Sequence, residues 1–99
     1  MSLDAFFEEP ELFCKETHRR IKLSIAAYAY EFESDPIMSD GDFDEMCTKV
    51  DLSVNTSRPD MDKWFRENFE PHTGQWINKH PDIRRIRELY ERIFKSDRT

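Results

Sequence analysis

Apolar residues recur at helical spacing in the first third of the chain. Four of them, at i, i+4, i+7 and i+11, share one helix face: Ile21, Ile25, Tyr28 and Phe32. The residues that widen this stripe are Leu23, Ala26, Ala27 and Tyr30. Pro10 suits the first turn of a helix, and the residue before Pro36 is driven out of the α region. The pattern predicts a long helix that begins at Pro10 and ends before Ser34.

A second helix is predicted to follow after a short connection at residues 35–38. Ser39 is suited to cap it, and Asp40 and Asp42 lie in its first turn, where carboxylates favour the positive end of the helix dipole. Its apolar positions are Phe43, Met46, Cys47 and Val50. Two helices joined so closely can pack antiparallel, which predicts a helical hairpin over residues 10–52.

The second half of the chain predicts further short helices within residues 59–95. Residues 51–58 indicate a loop, and Asp60 is predicted to cap a third helix whose inner side carries Met61, Trp64, Phe65 and Phe69. Residues 71–74 break that helix. Trp76 and Ile77 then suit either a short helical turn or an extended segment.

Pro81 is predicted to begin the last helix. Its apolar residues, at i, i+3, i+7 and i+10, are Ile83, Ile86, Tyr90 and Ile93.

Composition agrees with one helical domain over residues 1–99. A chain of 99 residues has room for one modest core, to which an aromatic content of 13% contributes large buried surfaces. Only 2 residues are glycine, whereas 36% are charged, a balance typical of helices with solvated outer faces. The expected fold class is all-α, with a helical hairpin and two or three further short helices in one small bundle.

The charge distribution makes some partners improbable. A net charge of −6 argues against binding to duplex nucleic acid, which requires a surplus of lysine and arginine on the binding face. The basic residues that gather near the C-terminus are Arg84, Arg85, Arg87, Arg92, Lys95 and Arg98. The acidic residues that dominate the first half are Glu8, Glu9, Glu11, Glu31, Glu33, Asp35, Asp40, Asp42, Asp44 and Glu45. This polarity fits either a binding surface or ordinary solvated helix faces.

Cysteine usage and hydropathy favour a cytoplasmic protein. The sequence shows no hydrophobic signal segment and no apolar run long enough to span a bilayer, so no membrane association is expected. Cys14 and Cys47 lie at positions where an amphipathic helix buries a small residue. Free buried thiols are therefore predicted.

No motif for catalysis or metal binding is present in the sequence. The candidate ligands Cys14, His18, Cys47, His72 and His80 form no CxxC, HxxxH or HExxH pattern. Gly41 and Gly74, the only glycines, belong to no phosphate-binding loop. The expected protein is therefore not an enzyme and holds no metal. Trp64 and Trp76 could stack on bases, but in so small a chain they are predicted to be core residues.

One cluster of aromatic and acidic residues stands at the predicted hairpin end. Its members are Tyr28, Tyr30, Glu31, Asp40, Phe43 and Asp44. Rings beside carboxylates can sandwich a planar heterocycle and accept hydrogen bonds from an amide or from ribose hydroxyls. Alternatively, Ser39 simply caps a helix, Phe43 is its first core residue, and the tyrosines complete the core.

Residues 28–46, YAYEFESDPIMSDGDFDEM, resemble the small N-terminal helical domain of bacterial NAD-dependent DNA ligases. In that family a helix ending in Tyr-His is followed by a short loop containing proline, a helix start with Pro-Asp or Ser-Asp, and a Tyr-Asp pair. The remainder of the chain is similar to short ligase-related proteins of bacteriophages and prophages. The resemblance covers roughly the first half of the chain and has moderately specific spacing.

The resemblance implies a site for the nicotinamide mononucleotide half of NAD. Tyr30 matches the family's tyrosine, and Asp40 and Asp44 match its two aspartates. Phe43 stands where tyrosine is usual, so it retains stacking but lacks the hydroxyl. Glu31 stands where histidine is usual, and a carboxylate about 4 Å from the phosphate would repel it by about 4 kcal/mol, roughly a thousandfold in affinity. Mononucleotide binding therefore requires Glu31 to turn away or to pair with an arginine.

Ligase catalysis is not expected. The adenylated lysine of that superfamily lies in a Lys-x-Asp-Gly motif, which the run from Lys49 to Leu52 matches only in part, without the glycine. Two functions remain open. One is a non-catalytic phage or prophage ligase-related protein that binds NAD or nicotinamide mononucleotide through Tyr30, Glu31, Asp40, Phe43 and Asp44. The other is an acidic factor that binds a protein partner, as an inhibitor or nucleic-acid mimic, without a small ligand.

Overall fold

A computed structural model describes residues 15–56 and 58–95, and it is built from helices. In chain order the elements are α1 Lys15–Glu33, α2 Asp40–Lys49, α3 Pro59–Asn68, a 3₁₀ helix Gln75–Lys79, α4 Ile83–Tyr90 and a π-helical turn Glu91–Lys95. No strand occurs in these two ranges. The predicted all-α fold, a small bundle, is confirmed. The predicted start of the first helix at Pro10 lies outside the described residues.

Helix α1 is the centre of the bundle, and α2, the 3₁₀ helix and α4 all pack against it. Residues 23–29 are buried on every face, which is why the small residues Ala26, Ala27 and Ala29 lie among them. Near the end of the helix, however, Tyr30 is 59% exposed and Phe32 49% exposed. Their predicted place in the apolar stripe is therefore wrong, because the last turn of α1 extends beyond the core.

The connection between α1 and α2 forms as the sequence predicts. Ser34 adopts a left-handed backbone with φ 52°, and the Asp35 amide donates to the carbonyl of Ala29 at 2.9 Å. Ser39 caps α2 by accepting a hydrogen bond from the Asp42 amide at 3.1 Å. Cys47 is buried as a free thiol, and burial raises its pKa. Cys14 lies outside the described residues.

Two predicted helix starts are each wrong by two residues. Helix α3 begins at Pro59, and Asp60 lies within its first turn, where it accepts hydrogen bonds from Arg58 at 3.0 and 2.8 Å instead of capping the helix. Helix α4 begins at Ile83 instead of Pro81, because the preceding turn is closed by His80, whose Nδ1 accepts a hydrogen bond from the Asp82 amide at 3.0 Å.

An aromatic core holds the second half of the chain together. Trp76 and Ile77 are buried in the 3₁₀ helix, which confirms the helical turn of the two alternatives. The rings that contact one another, with centroids 4.9 to 6.2 Å apart, are Trp64, Phe65, Phe69, Trp76 and His80. Both tryptophans therefore serve the core, as predicted.

A buried group of charges joins α1 to α3, and we call Glu16, Arg20 and Asp62 the Arg20 cluster. Arg20 Nε donates to Glu16 Oε2 at 2.9 Å, and Nη1 donates to Asp62 Oδ1 at 2.8 Å. The remaining Nη2 donates to the carbonyls of Asp51 at 2.8 Å and Val54 at 3.2 Å. All three side chains are buried, and the partly exposed Arg19 also pairs with Glu16, so two guanidinium groups match the two carboxylates.

Asp62 receives further hydrogen bonds from Thr56, through its amide at 2.8 Å and its hydroxyl at 2.7 Å. Burial pushes the pKa of Asp62 up, but the bonds from Thr56 and the charge of Arg20 outweigh it and hold the pKa below its ordinary value. No helix within the described residues combines the length and apolar character needed to cross a membrane.

Candidate functional site

The end of the α1–α2 hairpin encloses a cavity of about 360 Å³, which we call the hairpin-end pocket. All five site residues predicted from the sequence line it: Tyr30, Glu31, Asp40, Phe43 and Asp44. The structure thus brings together residues from two helices that the sequence alone could only place near one another. Their role in binding a ligand stays a prediction.

The local sequence explains how these five side chains meet. Tyr30 and Glu31 lie in the last turns of α1, beyond the core, so they are free to face the cavity. On α2, Asp40 is followed by Phe43 and Asp44 at i+3 and i+4, which places the three on one helix face. The connecting residues Pro36, Ile37 and Met38 form a further wall.

A third wall comes from residues 72–75, which the sequence indicated only as a helix break. His72, which has a left-handed backbone with φ 71°, and the three residues after it line the pocket, although they are distant in sequence from the hairpin. Gly74 brings this segment onto α1, because a Cβ placed there would lie only 3.2 Å from Ala27 Cβ and 3.8 Å from the Phe43 ring. The turn residues Pro71 and Gly74 are a sequence signal for a bend, but nothing local indicates what the bend packs against.

The tyrosines of the predicted cluster have different roles. Tyr28 is buried, and its hydroxyl donates to Glu33 at 2.9 Å. Burial and the neighbouring Glu33 raise the pKa of Tyr28 to about 12. Tyr28 completes the core, as the alternative interpretation predicted, whereas the exposed Tyr30 does not. Phe43 does both, since it packs against the core and also lines the cavity.

The pocket is strongly acidic. Among its described lining residues, Glu31, Asp40 and Asp44 are the carboxylates, and only His72 can carry a positive charge. His72 Nδ1 lies 3.6 Å from Asp44 Oδ1. Glu31 forms no ion pair with an arginine of the described residues, and it lines the cavity, so the condition for relieving its repulsion of a phosphate is not met.

Other candidate sites carry less chemistry. Lys49, the lysine of the partial ligase motif, is exposed at the end of α2 and pairs with Glu45 at 3.3 Å. Over residues 15–56 and 58–95, no three histidine, cysteine or acidic side chains converge to hold a metal ion.

Comparison of the chain with protein families, with curated proteins and with solved structures gives no match. The functional assignment therefore depends on the geometry of the pocket and on the resemblance of residues 28–46.

Proposed function

We propose that this chain is a non-catalytic binding module whose hairpin-end pocket holds the nicotinamide group of a nicotinamide nucleotide such as nicotinamide mononucleotide or NAD, or of the corresponding nucleoside. The observation that carries the proposal is the convergence of two aromatic and three acidic side chains on one cavity of about 360 Å³. That volume suits a small ligand, since ligand pockets span roughly 300–1,000 Å³. The resemblance to the ligase domain supplies the class of ligand, and it includes the short ligase-related proteins of phages and prophages, among which we place this chain.

Each part of a nicotinamide has a complementary group in the pocket. Tyr30 and Phe43 offer ring faces against which a planar heterocycle can stack. The carboxamide NH₂ has two donors, and the carboxylates of Asp40 and Asp44 are acceptors for them. When the ring nitrogen is joined to ribose, the ring carries a positive charge, which three carboxylates attract.

The negative charge of the pocket determines the expected order of affinity among the nicotinamide ligands. A phosphate would approach Glu31, and at about 4 Å and an effective dielectric near 20 the repulsion is about 4 kcal/mol. His72 offsets part of this only when it is protonated. Nicotinamide riboside, which is cationic and lacks the phosphate, should therefore bind more tightly than nicotinamide mononucleotide or NAD.

The test is calorimetric titration of the purified chain with nicotinamide, nicotinamide riboside, nicotinamide mononucleotide and NAD. We expect the riboside to bind most tightly and its affinity to fall at least tenfold in Tyr30→Ala and in Asp40→Asn. Glu31→Gln should weaken the riboside but strengthen the mononucleotide, because the same charge acts on the two ligands with opposite sign.

The matched control is Glu45→Gln, which removes a carboxylate from α2 outside the pocket and should leave every affinity unchanged. If none of the four ligands produces heat at millimolar concentration, the proposal fails. Equal effects of Glu45→Gln and Glu31→Gln would show that net charge, and not the pocket, governs binding.

A second candidate function is supported by the outer surface of the same end of the hairpin. Phe32, in the last turn of α1, is half exposed and stacks on Tyr28 at 5.1 Å, and Asp42 is exposed in the first turn of α2. Neither side chain lines the pocket. Exposed aromatic and acidic groups together suit a basic protein partner, as expected of an inhibitor or nucleic-acid mimic.

Two of the acidic residues predicted for such a surface form hydrogen bonds within the fold. Glu33 accepts from Tyr28, and Asp35 accepts from the Tyr90 hydroxyl at 2.7 Å. Anisotropy of a labelled lysine-rich peptide distinguishes the two candidates. Peptide binding that is lost in Phe32→Ala and Asp42→Asn but retained in Tyr30→Ala favours the protein partner. No peptide binding by the native chain, together with riboside binding that Tyr30→Ala abolishes, favours the pocket.

A further inference from the structure

A second cavity of about 280 Å³ lies between α1, α3 and α4, and it shares no lining residue with the hairpin-end pocket. Its apolar lining consists of Ile21, Met61, Phe65, Ile86 and Leu89. Nine described polar residues also line it, among them Arg58, His80, Asp82 and Arg85. Apolar side chains together with polar groups that converge on the same cavity are typical of a site for a small ligand.

His80 places a hydrogen-bond donor in this cavity. Its side chain is 7% exposed, and its Nδ1 accepts from the Asp82 amide at 3.0 Å. Burial lowers the pKa of His80 to about 4, so the ring is neutral at pH 7 and must carry its proton on Nε2. No described residue accepts a hydrogen bond from this Nε2–H, although the ring lines the cavity and lies against Trp64 at 4.9 Å.

Most of the charges around the cavity are already neutralised. Arg20 and Asp62 pair with each other at 2.8 Å, and Arg58 is held by Asp60 at 2.8 Å with Asp82 at 3.9 Å. Arg85 is different, because its contact with Glu88 is 3.7 Å long and both side chains are about half exposed. Such an exposed pair is weak, so the Arg85 guanidinium can turn to an anion at the cavity.

We propose that the second cavity binds a small monocarboxylate with an apolar chain. The chain occupies the apolar lining, and the carboxylate accepts hydrogen bonds from His80 Nε2–H and from the Arg85 guanidinium. Charge complementarity selects this ligand class, because the cavity offers two donors that lack a strong acceptor and an apolar interior that excludes a more polar anion. The inference is independent of the hairpin-end pocket and of what that pocket binds.

Fluorescence titration of the full chain with octanoate, below its micellar concentration, tests the proposal. Trp64 contacts the His80 ring, so its emission reports occupancy of the cavity. Octanol is the matched neutral probe, with the same chain but no carboxylate. We expect saturable binding of octanoate at least tenfold tighter than that of octanol.

Two substitutions at His80 separate the ligand contact from the structural one. In His80→Asn the side-chain oxygen can still accept from the Asp82 amide, but the Nε2–H donor is lost. In His80→Gln an amide donor can reach toward the Nε2 position, whereas the bond to Asp82 is lost. Octanoate affinity should fall about tenfold in the Asn variant and fall less in the Gln variant, while a purely structural role would give the opposite order.

Arg85→Gln keeps the test decisive if a His80 variant fails to fold, because Arg85 is exposed on α4. It should weaken octanoate about tenfold, leave octanol unchanged and reduce the salt dependence of binding. Arg84→Gln, at an exposed neighbour that does not line the cavity, should change neither. Equal binding of octanol and octanoate, equal effects at Arg84 and Arg85, or no saturable signal would each overturn the proposal.

Discussion

Both ends of α1 carry acidic side chains, but their surroundings differ. In the Arg20 cluster, Glu16 and Asp62 are buried and each accepts a hydrogen bond from the same guanidinium. In the hairpin-end pocket, Glu31 and Asp40 are exposed and pair with no cation of the described residues, whereas Asp44 lies 3.6 Å from His72. Balanced charge in a dry site fixes the fold, whereas unbalanced charge around a cavity leaves electrostatic attraction for a ligand.

The sharpest test of this comparison removes the cation from the balanced end. Arg20→Met keeps most of the side-chain volume but leaves Asp62 as a buried carboxylate without a cation, and it leaves Glu16 with only the partly exposed Arg19. The free energy of unfolding should fall by about 3–5 kcal/mol, the usual cost of breaking a buried pair on one side. Urea denaturation at pH 7 measures it.

Arg84→Met is the matched control, since Arg84 is exposed on α4 and a surface substitution should change stability by less than about 0.5 kcal/mol. If Arg20→Met also costs less than about 1 kcal/mol, the cluster does not stabilise the fold, and the contrast between the two ends of α1 disappears.

The hairpin was predictable because every signal for it is local. Ser39 lies three residues from the amide it caps, and Pro36 follows the end of α1 within one turn. Tyr30, Glu31, Asp40, Phe43 and Asp44 could be placed together for the same reason, since only a short connection separates them. Periodicity failed at Phe32, because a repeating pattern does not indicate where a helix extends beyond the core it packs on.

Contacts between distant segments could not be predicted. Arg20 and Asp62 are 42 positions apart, and neither differs in sequence from a solvated helix residue. His72 lines the pocket because Gly74 packs on Ala27, a tertiary contact with no local signature. Asp60 was predicted as a cap by its residue type, but Pro59 already suits the first helical position and moves the start of α3 forward.

His80 extends the comparison to a buried group that stays neutral. Its pKa of about 4 lies below the ordinary 6.5. Between these pH values the His80 ring is therefore protonated in the unfolded chain and neutral in the folded chain. The free energy of unfolding should therefore fall by roughly 3 kcal/mol as the pH drops from 6.5 to 4. Chemical denaturation at pH 7.5 and at pH 4.5 measures most of this loss.

His80→Asn should flatten the dependence on pH in that range, because it removes the titrating ring. The nearby charges do not produce the same window: Arg58 stays protonated, and the pKa of Asp62 is lowered, so its contribution is lost only below about 3.8. An unchanged slope in the Asn variant would place the acid sensitivity elsewhere in the chain.

Gly74 tests how closely the third wall of the pocket must approach α1. Gly74→Ala puts a methyl group 3.2 Å from Ala27 Cβ, on a helix that cannot easily yield. Overpacking of this kind costs about 1–3 kcal/mol, and the reduced freedom of the unfolded chain returns about 0.4–1 kcal/mol, so a net loss of about 1 kcal/mol is expected. Thermal and urea unfolding report it, and riboside binding should weaken as the segment moves.

Gly41→Ala is the opposite case. Apart from its own helix backbone and chain neighbours, no described atom lies within 4 Å of the added methyl group. The position is helical, so stability should rise by about 0.5–1 kcal/mol. If Gly41→Ala and Gly74→Ala reduced stability equally, the contact with Ala27 would not be the reason that position 74 requires glycine.

The smallest expected effect is a gain in stability at the end of α1 that faces the hairpin-end pocket. Glu31 lies in the last turn of a helix that carries no basic residue there, so its charge opposes the negative end of the helix dipole. It also shares the pocket with Asp40 and Asp44. Glu31→Gln should stabilise the free chain by about 0.3–1 kcal/mol at low salt and by less at 1 M salt, because ions screen both repulsions.

Glu45→Gln should instead lose up to about 0.5 kcal/mol, since that carboxylate pairs with Lys49 one turn away. A loss of stability in Glu31→Gln would reveal a partner for Glu31 and make the two ends of α1 alike. A gain in stability together with weaker riboside binding would show that Glu31 has no partner in the free chain and that the two ends of α1 differ. The Glu31 carboxylate would then destabilise the free fold and be compensated only when a cation occupies the pocket.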